Sequence, residues 1–187
     1  QERLPKSKTG FALTTAKTRA KIYYDVNDAL VIKRSAELFA RDIQMVTGQK
    51  PELIQKRERA KALVIVGTIE KNQWICELAQ KGKIDIRPLQ GAWERYLIQT
   101  VDNPSPGVAK ALVIAGSDRR GAAYGLFSIS EMMGVSPWYW WGDVPVKTHK
   151  ALYVDAPPTY SKTPSVKYRG IFLNDEDWGL KPWAAKT

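Results

Sequence analysis

Ala62-Leu63-Val64-Ile65-Val66-Gly67-Thr68 returns, nearly residue for residue, as Ala111-Leu112-Val113-Ile114-Ala115-Gly116-Ser117. In each copy the unbroken apolar, β-branched run predicts a strand covered on both faces, since a strand with one wet face would alternate. A glycine turn follows, then a hydroxyl residue placed to cap, then a helical pattern. The first of these helices carries Trp74, Ile75, Leu78 and Ala79; the second runs over about 118–133 and stops at Gly134. Two strand–turn–helix units in one sheet predict a layered α/β (α+β) domain. Gly121 and Gly125 lie one turn apart, so the second helix is expected to press closely on its sheet.

Toward the N-terminus, residues 21–24 form a strand candidate. Asp28 opens the clearest helix, with Ile32, Ala36, Phe39, Ile43 and Val46 on one stripe and Arg34, Glu37, Arg41 and Gln44 away from it. Gly48 stops that helix, as a residue tolerating φ > 0 does. Residues 51–55 and 94–101 are further strand candidates, the second followed by a loop holding Pro104, Ser105, Pro106 and Gly107. Residues 1–10 are polar and expected to fray.

Past Gly134 the composition changes. Residues 135–145 are aromatic and turn-rich, and residues 156–164 read as a stiff connector, because three prolines there oppose regular hydrogen bonding. Residues 168–173 read as a new strand with Asn174, Asp175, Glu176 and Asp177 at its end. No partner for that strand follows, and a strand does not stand alone. The expected organisation is an α/β domain over 1–160, then a connector and the start of a second, truncated domain over 161–187.

The chain of 187 residues is 44% hydrophobic, enough for a packed core, and carries a net charge of +10 from 29 Lys and Arg against 19 Asp and Glu. A basic surface invites a nucleic-acid reading, but the basic residues are scattered along the sequence rather than gathered in a tight cluster, so nucleic acid is not expected as partner. Cys76 is the sole cysteine and His149 the sole histidine. This excludes an intrachain disulfide and a Cys-based zinc site, and His149 sits in a polar turn, as a solvated loop histidine does. No metal or cofactor is expected. No apolar run is long enough to span a membrane. The N-terminus lacks an apolar leader, which fits a cytoplasmic chain or a secreted one with its signal removed.

Three stretches hold candidate chemistry. Gly116-Ser117-Asp118-Arg119-Arg120-Gly121 lies between strand and helix but lacks the Gly-Lys-Ser/Thr of a phosphate loop and the close Gly-x-Gly of a dinucleotide turn. Capping and close packing are its first reading, with Asp118 as helix cap and Arg120 structural; anion binding at the helix start is the second. Trp138-Tyr139-Trp140-Trp141 offers rings either to a core or domain seam, or to an exposed platform stacking on sugars or bases. Arg169 with Asn174, Asp175, Glu176 and Asp177 is the richest polar group. Such acids at the end of a barrel strand supply a general acid or base, or bind hydroxyls; the plain alternative is a solvated turn.

Gly116-Ser117-Asp118-Arg119-Arg120-Gly121, Val135-Ser136-Pro137-Trp138-Tyr139-Trp140-Trp141-Gly142-Asp143-Val144-Pro145-Val146 and Ser165-Val166-Lys167-Tyr168-Arg169-Gly170-Ile171-Phe172-Leu173-Asn174-Asp175-Glu176 together resemble glycoside hydrolase family 115, in order and spacing. The resemblance extends over roughly residues 20–187. It implies an inverting α-glucuronidase that removes glucuronic acid, or its 4-O-methyl form, from glucuronoxylan. It also implies an N-terminal α/β domain, similar to the one preceding the barrel in β-hexosaminidases, leading into a (β/α)8 barrel whose first strand is 168–173. Asn174 and Asp175 match positions lining the family's sugar pocket, and Glu176 is adjacent. Arg169, Trp138, Trp140 and Trp141 stand as further contacts to substrate or seam.

On this reading the partners are a polysaccharide and the missing C-terminal catalytic domain, with no membrane and no nucleic acid. The catalytic pair lies mostly in the missing barrel, and the polymeric substrate places the parent outside the cell or in the periplasm. The rival reading is a stand-alone carbohydrate-binding module using residues 138–141.

Overall fold

The computed structural model describes residues 10–139, 142–172 and Lys181. The elements are β1 (Phe11–Thr14), β2 (Lys21–Tyr24), α1 (Leu30–Thr47), β3 (Leu53–Ile54), β4 (Ala60–Thr68), α2 (Gln73–Gln80), β5 (Tyr96–Ser105), β6 (Val108–Gly116), α3 (Arg119–Met132), β7 (Leu152–Val154) and β8 (Thr159–Tyr160). A six-stranded sheet has the order β3-β2-β4-β6-β5-β8, and β1 with β7 forms a separate two-stranded sheet. β3, β2, β4 and β6 run parallel; β5 returns antiparallel to β6 and carries β8 on its outer edge. The layered α/β expectation holds. No helix among the described residues is long and apolar enough to cross a membrane.

The two echoing runs are the central pair. β4 and β6 pair with Leu63 opposite Ala111, Val64 opposite Leu112 and Ile65 opposite Val113. This register is one residue away from the sequence echo. Side chains alternate along a strand, so a one-residue offset puts corresponding residues on opposite faces. Leu63 therefore joins Trp74, Ile75 and Leu78 of α2 beneath the sheet, whereas Leu112 joins Phe39 of α1 and Leu126 of α3 above it. The units repeat in sequence but send their helices to opposite layers. Leu63, Val64, Ile65, Val66, Leu112, Val113 and Ile114 have no exposed surface, as both-face cover requires.

Asp118 caps α3 as expected, but the other helix starts depart from expectation. Thr68 and Ser117, the hydroxyl residues placed to cap, cap neither helix. Asn72 accepts from the N–H groups of Trp74 and Ile75, both at 3.1 Å, and Asp118 from those of Arg120 and Gly121. In each cap a single side-chain oxygen accepts from both amides, and each residue stands directly before the first helical residue, where such an acceptor satisfies free N–H groups. Asp28, expected to open α1, precedes the cap position Ala29 and holds the end of β4 instead: its carboxylate accepts from the Thr68 N–H at 2.7 Å and hydroxyl at 3.0 Å. Gly48 ends α1 at φ 71° as expected.

Two further expectations are corrected, and one element forms where none was expected. Residues 11–14, adjoining a stretch read as frayed, form β1 with Phe11 and Leu13 fully buried; residues 1–9 lie outside the described residues. The stiff connector 156–164 does enter the sheet. Ala156 accepts from the Thr100 N–H through its carbonyl, and β8 pairs with β5, since proline removes a donor but leaves the carbonyl free. The expected strand 168–173 forms no ladder over residues 168–172, and Leu173 lies outside the described residues. Strand geometry is held by inter-strand hydrogen bonds, and no strand lies beside it among the described residues.

Candidate functional site

At the C-terminal end of the parallel strands, the turn before β5 gathers the charged groups. Glu94 is 5% exposed and sits at φ 54°, a left-handed backbone that a non-glycine residue adopts when its surroundings hold it there. Its N–H donates to Asp118 Oδ2 at 2.7 Å, so the carboxylate that caps α3 also fixes this turn. Its own carboxylate accepts from Arg120 at 3.0 Å and, on the other oxygen, from Arg169. These two guanidinium groups hold Glu94 below the usual carboxylate range, Arg169 first and Arg120 second. Glu94 in turn raises the pKa of both arginines.

Neighbours of Glu94 continue the clasp. The Trp93 ring lies 5.8 Å from the Arg169 guanidinium carbon, within cation–π range. Arg95 donates from Nε to the Ser161 carbonyl at 2.9 Å and from a terminal nitrogen to the Pro88 carbonyl at 2.8 Å. Ser161 Oγ accepts from the Tyr96 N–H at 2.9 Å. Four consecutive residues, 93–96, therefore hold the chain where it leaves the sheet at Ser161 and again at Arg169. The helix face of α3 supports them closely. A Cβ on Gly121 would stand 2.1 Å from the Arg95 carbonyl oxygen, and one on Gly125 2.6 Å from Ile114. The paired glycines serve the close contact expected of them.

Arg169 is thus placed on Glu94. Asn174, Asp175 and Glu176, the substrate-binding candidates, lie outside the described residues, as do Trp140 and Trp141. Trp138 is 64% exposed and Tyr139 37%. Tyr139 lines, with Leu38, Tyr124 and Phe127, a hollow of about 450 Å³ between α1 and α3. The Trp138 and Tyr139 rings are not part of the core of this chain, which leaves the seam and the platform as the readings for them. His149 is anchored through its N–H to the Val46 carbonyl at 2.7 Å, beside the end of α1. Among the described residues no group of three or more His, Cys, Asp or Glu converges as a metal site needs.

Sequence reading missed Glu94 and Trp93. Their weight comes from partners 26 and 75 positions away, which no local pattern encodes.

The family model described as Glycosyl hydrolase family 115 matches residues 161–187, the segment that begins at the clasped Ser161. No curated protein matches the chain. Among solved structures, BtGH115A, described as a family GH115 4-O-methyl-α-glucuronidase with specificity for decorated arabinogalactans, superposes with a TM-score of 0.73 at 34% identity. The match covers 95% of this chain and 21% of that one, so the chain spans about a fifth of the relative's length. Two β-hexosaminidase structures are more distant. The GH20 β-N-acetylhexosaminidase from Streptomyces coelicolor A3(2) has a TM-score of 0.49 at 12% identity, covering 86% of this chain and 24% of that one. A Streptomyces plicatus β-hexosaminidase has 0.47 at 11%, with the same coverage. The structural match along nearly the whole chain and the family match on its last residues agree, and the chain belongs to glycoside hydrolase family 115.

Proposed function

We propose that this chain is the N-terminal α/β part of an α-glucuronidase that removes glucuronic acid or its 4-O-methyl form from glucuronoxylan with inversion, and that it is inactive without the rest of the enzyme. The observation carrying this reading is the clasp of residues 93–96 on the segment that the family model matches. It hands the chain over at Ser161 and Arg169, five residues before Asn174. Inversion needs two carboxyl groups ~6.5–9.5 Å apart with a water between them. Asn174, Asp175 and Glu176 would contribute at most one member of that pair and otherwise bind sugar hydroxyls; the remaining groups come from barrel strands beyond this chain.

On the same reading, the hollow between α1 and α3, with Tyr124, Phe127, Trp138 and Tyr139 partly exposed, is the seam on which the catalytic domain rests. Rings of this size gain most when a second surface covers them. The exposure of Trp138 also favours a second reading, a carbohydrate-binding module in which that ring stacks on a sugar. A polymeric plant substrate supports a secreted or periplasmic location. The test compares glucuronic acid release from glucuronoxylan by the natural longer protein and by the 187-residue chain, with NMR of the first-formed anomer. Release with inversion by the longer protein alone is expected. Enzyme-like turnover by the 187-residue chain would overturn the division proposed here, and xylan binding that is lost in Trp138→Ala would favour the second reading.

A further inference from the structure

The opposite end of the sheet carries a different surface. Where β4 and β6 begin, a groove of about 780 Å³ runs between the β5–β6 hairpin and the turn after α2. Arg59, Lys61, Lys81 and Lys83 line it, and neither Asp nor Glu is among its lining residues. Arg59 and Lys61 are two apart at the start of β4 and so share a face of the strand, the face that α2 covers further along.

The walls are built rather than loose. The Ala60 N–H donates to the Gly107 carbonyl at 3.0 Å, Lys83 Nζ donates to the Asn103 carbonyl, and the Arg59 side chain lies over Gly107, which φ 83° reserves for glycine. Other exposed cations nearby are already matched: Arg57 holds Glu77 at 2.6 Å, Lys21 holds Glu58 at 2.6 Å, and Lys110 holds Asp102 at 3.3 Å. Lys81 approaches Glu77 at 4.0 Å, whereas Arg59 and Lys61 have no ion-pair partner among the described residues. A preformed concave surface with unmatched cations and no acid attracts an extended anion.

We propose that this groove binds an acidic polysaccharide through its uronate carboxylates. β4 is nine residues long, which places the groove ~30 Å from the Glu94 clasp at the other end of the strand. The choice of polymer rests on the glucuronidase reading, whose substrate is itself uronate-bearing. No aromatic ring lines the groove, which disfavours single-stranded nucleic acid, where bases stack on rings.

Affinity electrophoresis of the 187-residue chain through gels holding polygalacturonate, glucuronoxylan, neutral unsubstituted xylan or no polymer tests the site, with duplex DNA as competitor. Retardation by both acidic polymers, weakening with salt and absent with neutral xylan, is expected. Arg59→Gln/Lys61→Gln should weaken binding roughly tenfold, since two exposed ion pairs are worth up to ~1 kcal/mol each. Lys33→Gln/Lys71→Gln, with the same charge change elsewhere, should not. Amide chemical shifts on adding polygalacturonate should move at 59–61, 81–83 and 103–109, a readout needing no variant. Equal retardation by neutral xylan, equal loss in the control pair, or shifts confined elsewhere would overturn the proposal. Duplex DNA displacing the polymer at lower concentration would replace it with a nucleic-acid surface. None of these readouts involves turnover, so a failure to release glucuronic acid would sink the glucuronidase reading and leave the binding result standing.

Discussion

Residues 62–66 and 168–172 both read as short apolar strands, yet their fates are opposite. Leu63, Val64, Ile65 and Val66 have no exposed surface, whereas Tyr168, Ile171 and Phe172 are 85%, 88% and 91% exposed. The first run has a parallel neighbour on each side and a helical layer above and below. The second has none of these among the described residues and is held by Arg169 on Glu94 and Trp93. A strand is made by its neighbours, and apolar content alone records only an appetite for them.

The largest expected effect tests that contrast directly. Opening the central strands requires global unfolding, which costs ~5–15 kcal/mol in an ordinary domain, while 165–172 opens locally. Amide hydrogens of 62–66 and 111–115 should therefore exchange at least roughly a thousandfold more slowly than those of 165–172. Equal protection in a monomer would show that the tail belongs to the α/β domain and that the boundary near 161 is misplaced. The next effect concerns the contact that lets α3 support the clasp. Gly121→Ala puts a methyl 2.1 Å from the Arg95 carbonyl oxygen, which is backbone and cannot swing away. Overpacking of this kind costs roughly 1–3 kcal/mol, to be read as a lower denaturation midpoint. A Gly121→Ala chain as stable as the parent would mean that α3 shifts freely on the sheet.

This asymmetry explains what was legible in the sequence. The buried strands, the α1 stripe and the glycine stops announce themselves through period and local turn chemistry, and the structure has them within a few residues of expectation. β1 with β7 and β8 with β5 were not legible. Each is a short piece whose partner lies more than fifty residues away, and the prolines beside β8 point away from a strand. At the candidate site, Asp118 as cap could be read from its place before α3. Glu94 could not, because its buried pairing with Arg120 and Arg169 exists only after the fold brings three separate segments together.

A smaller loss is expected at the cap. Asp118 accepts from the amides of Arg120 and Gly121 at 2.9 and 2.8 Å and from that of Glu94 at 2.7 Å. Asp118→Ala frees all three, and loss of an N-cap costs ~0.5–2 kcal/mol. The melting temperature of the natural longer protein should fall, while turnover well below that temperature stays unchanged. Turnover lost with stability intact would move Asp118 from structure to chemistry.

The smallest effect is the most local, and acid should produce it. Glu94 has its pKa lowered from 4.5, first by Arg169 and then by Arg120. A carboxylate depressed in the folded state contributes stability that is complete above its unfolded value and is lost as pH falls through its folded one. The clasp should therefore be indifferent to pH near neutrality and release Arg169 only at pH below 4.5. The α/β sheet, whose central strands carry no titrating group in 62–66, has no reason to open at the same step. The NMR signal of the Arg169 side-chain Nε–H reports the release, shifting toward the position of a free arginine while the amides of 62–66 stay in place. In Glu94→Gln the signal should already sit near that position at neutral pH. Arg169 also donates to the Val166 carbonyl at 2.5 Å. A signal unmoved in acid, or one in Glu94→Gln identical to the parent's, would show that this carbonyl and Trp93 hold Arg169 without the carboxylate, and that the charge pairing seen here is incidental to how the segment is held.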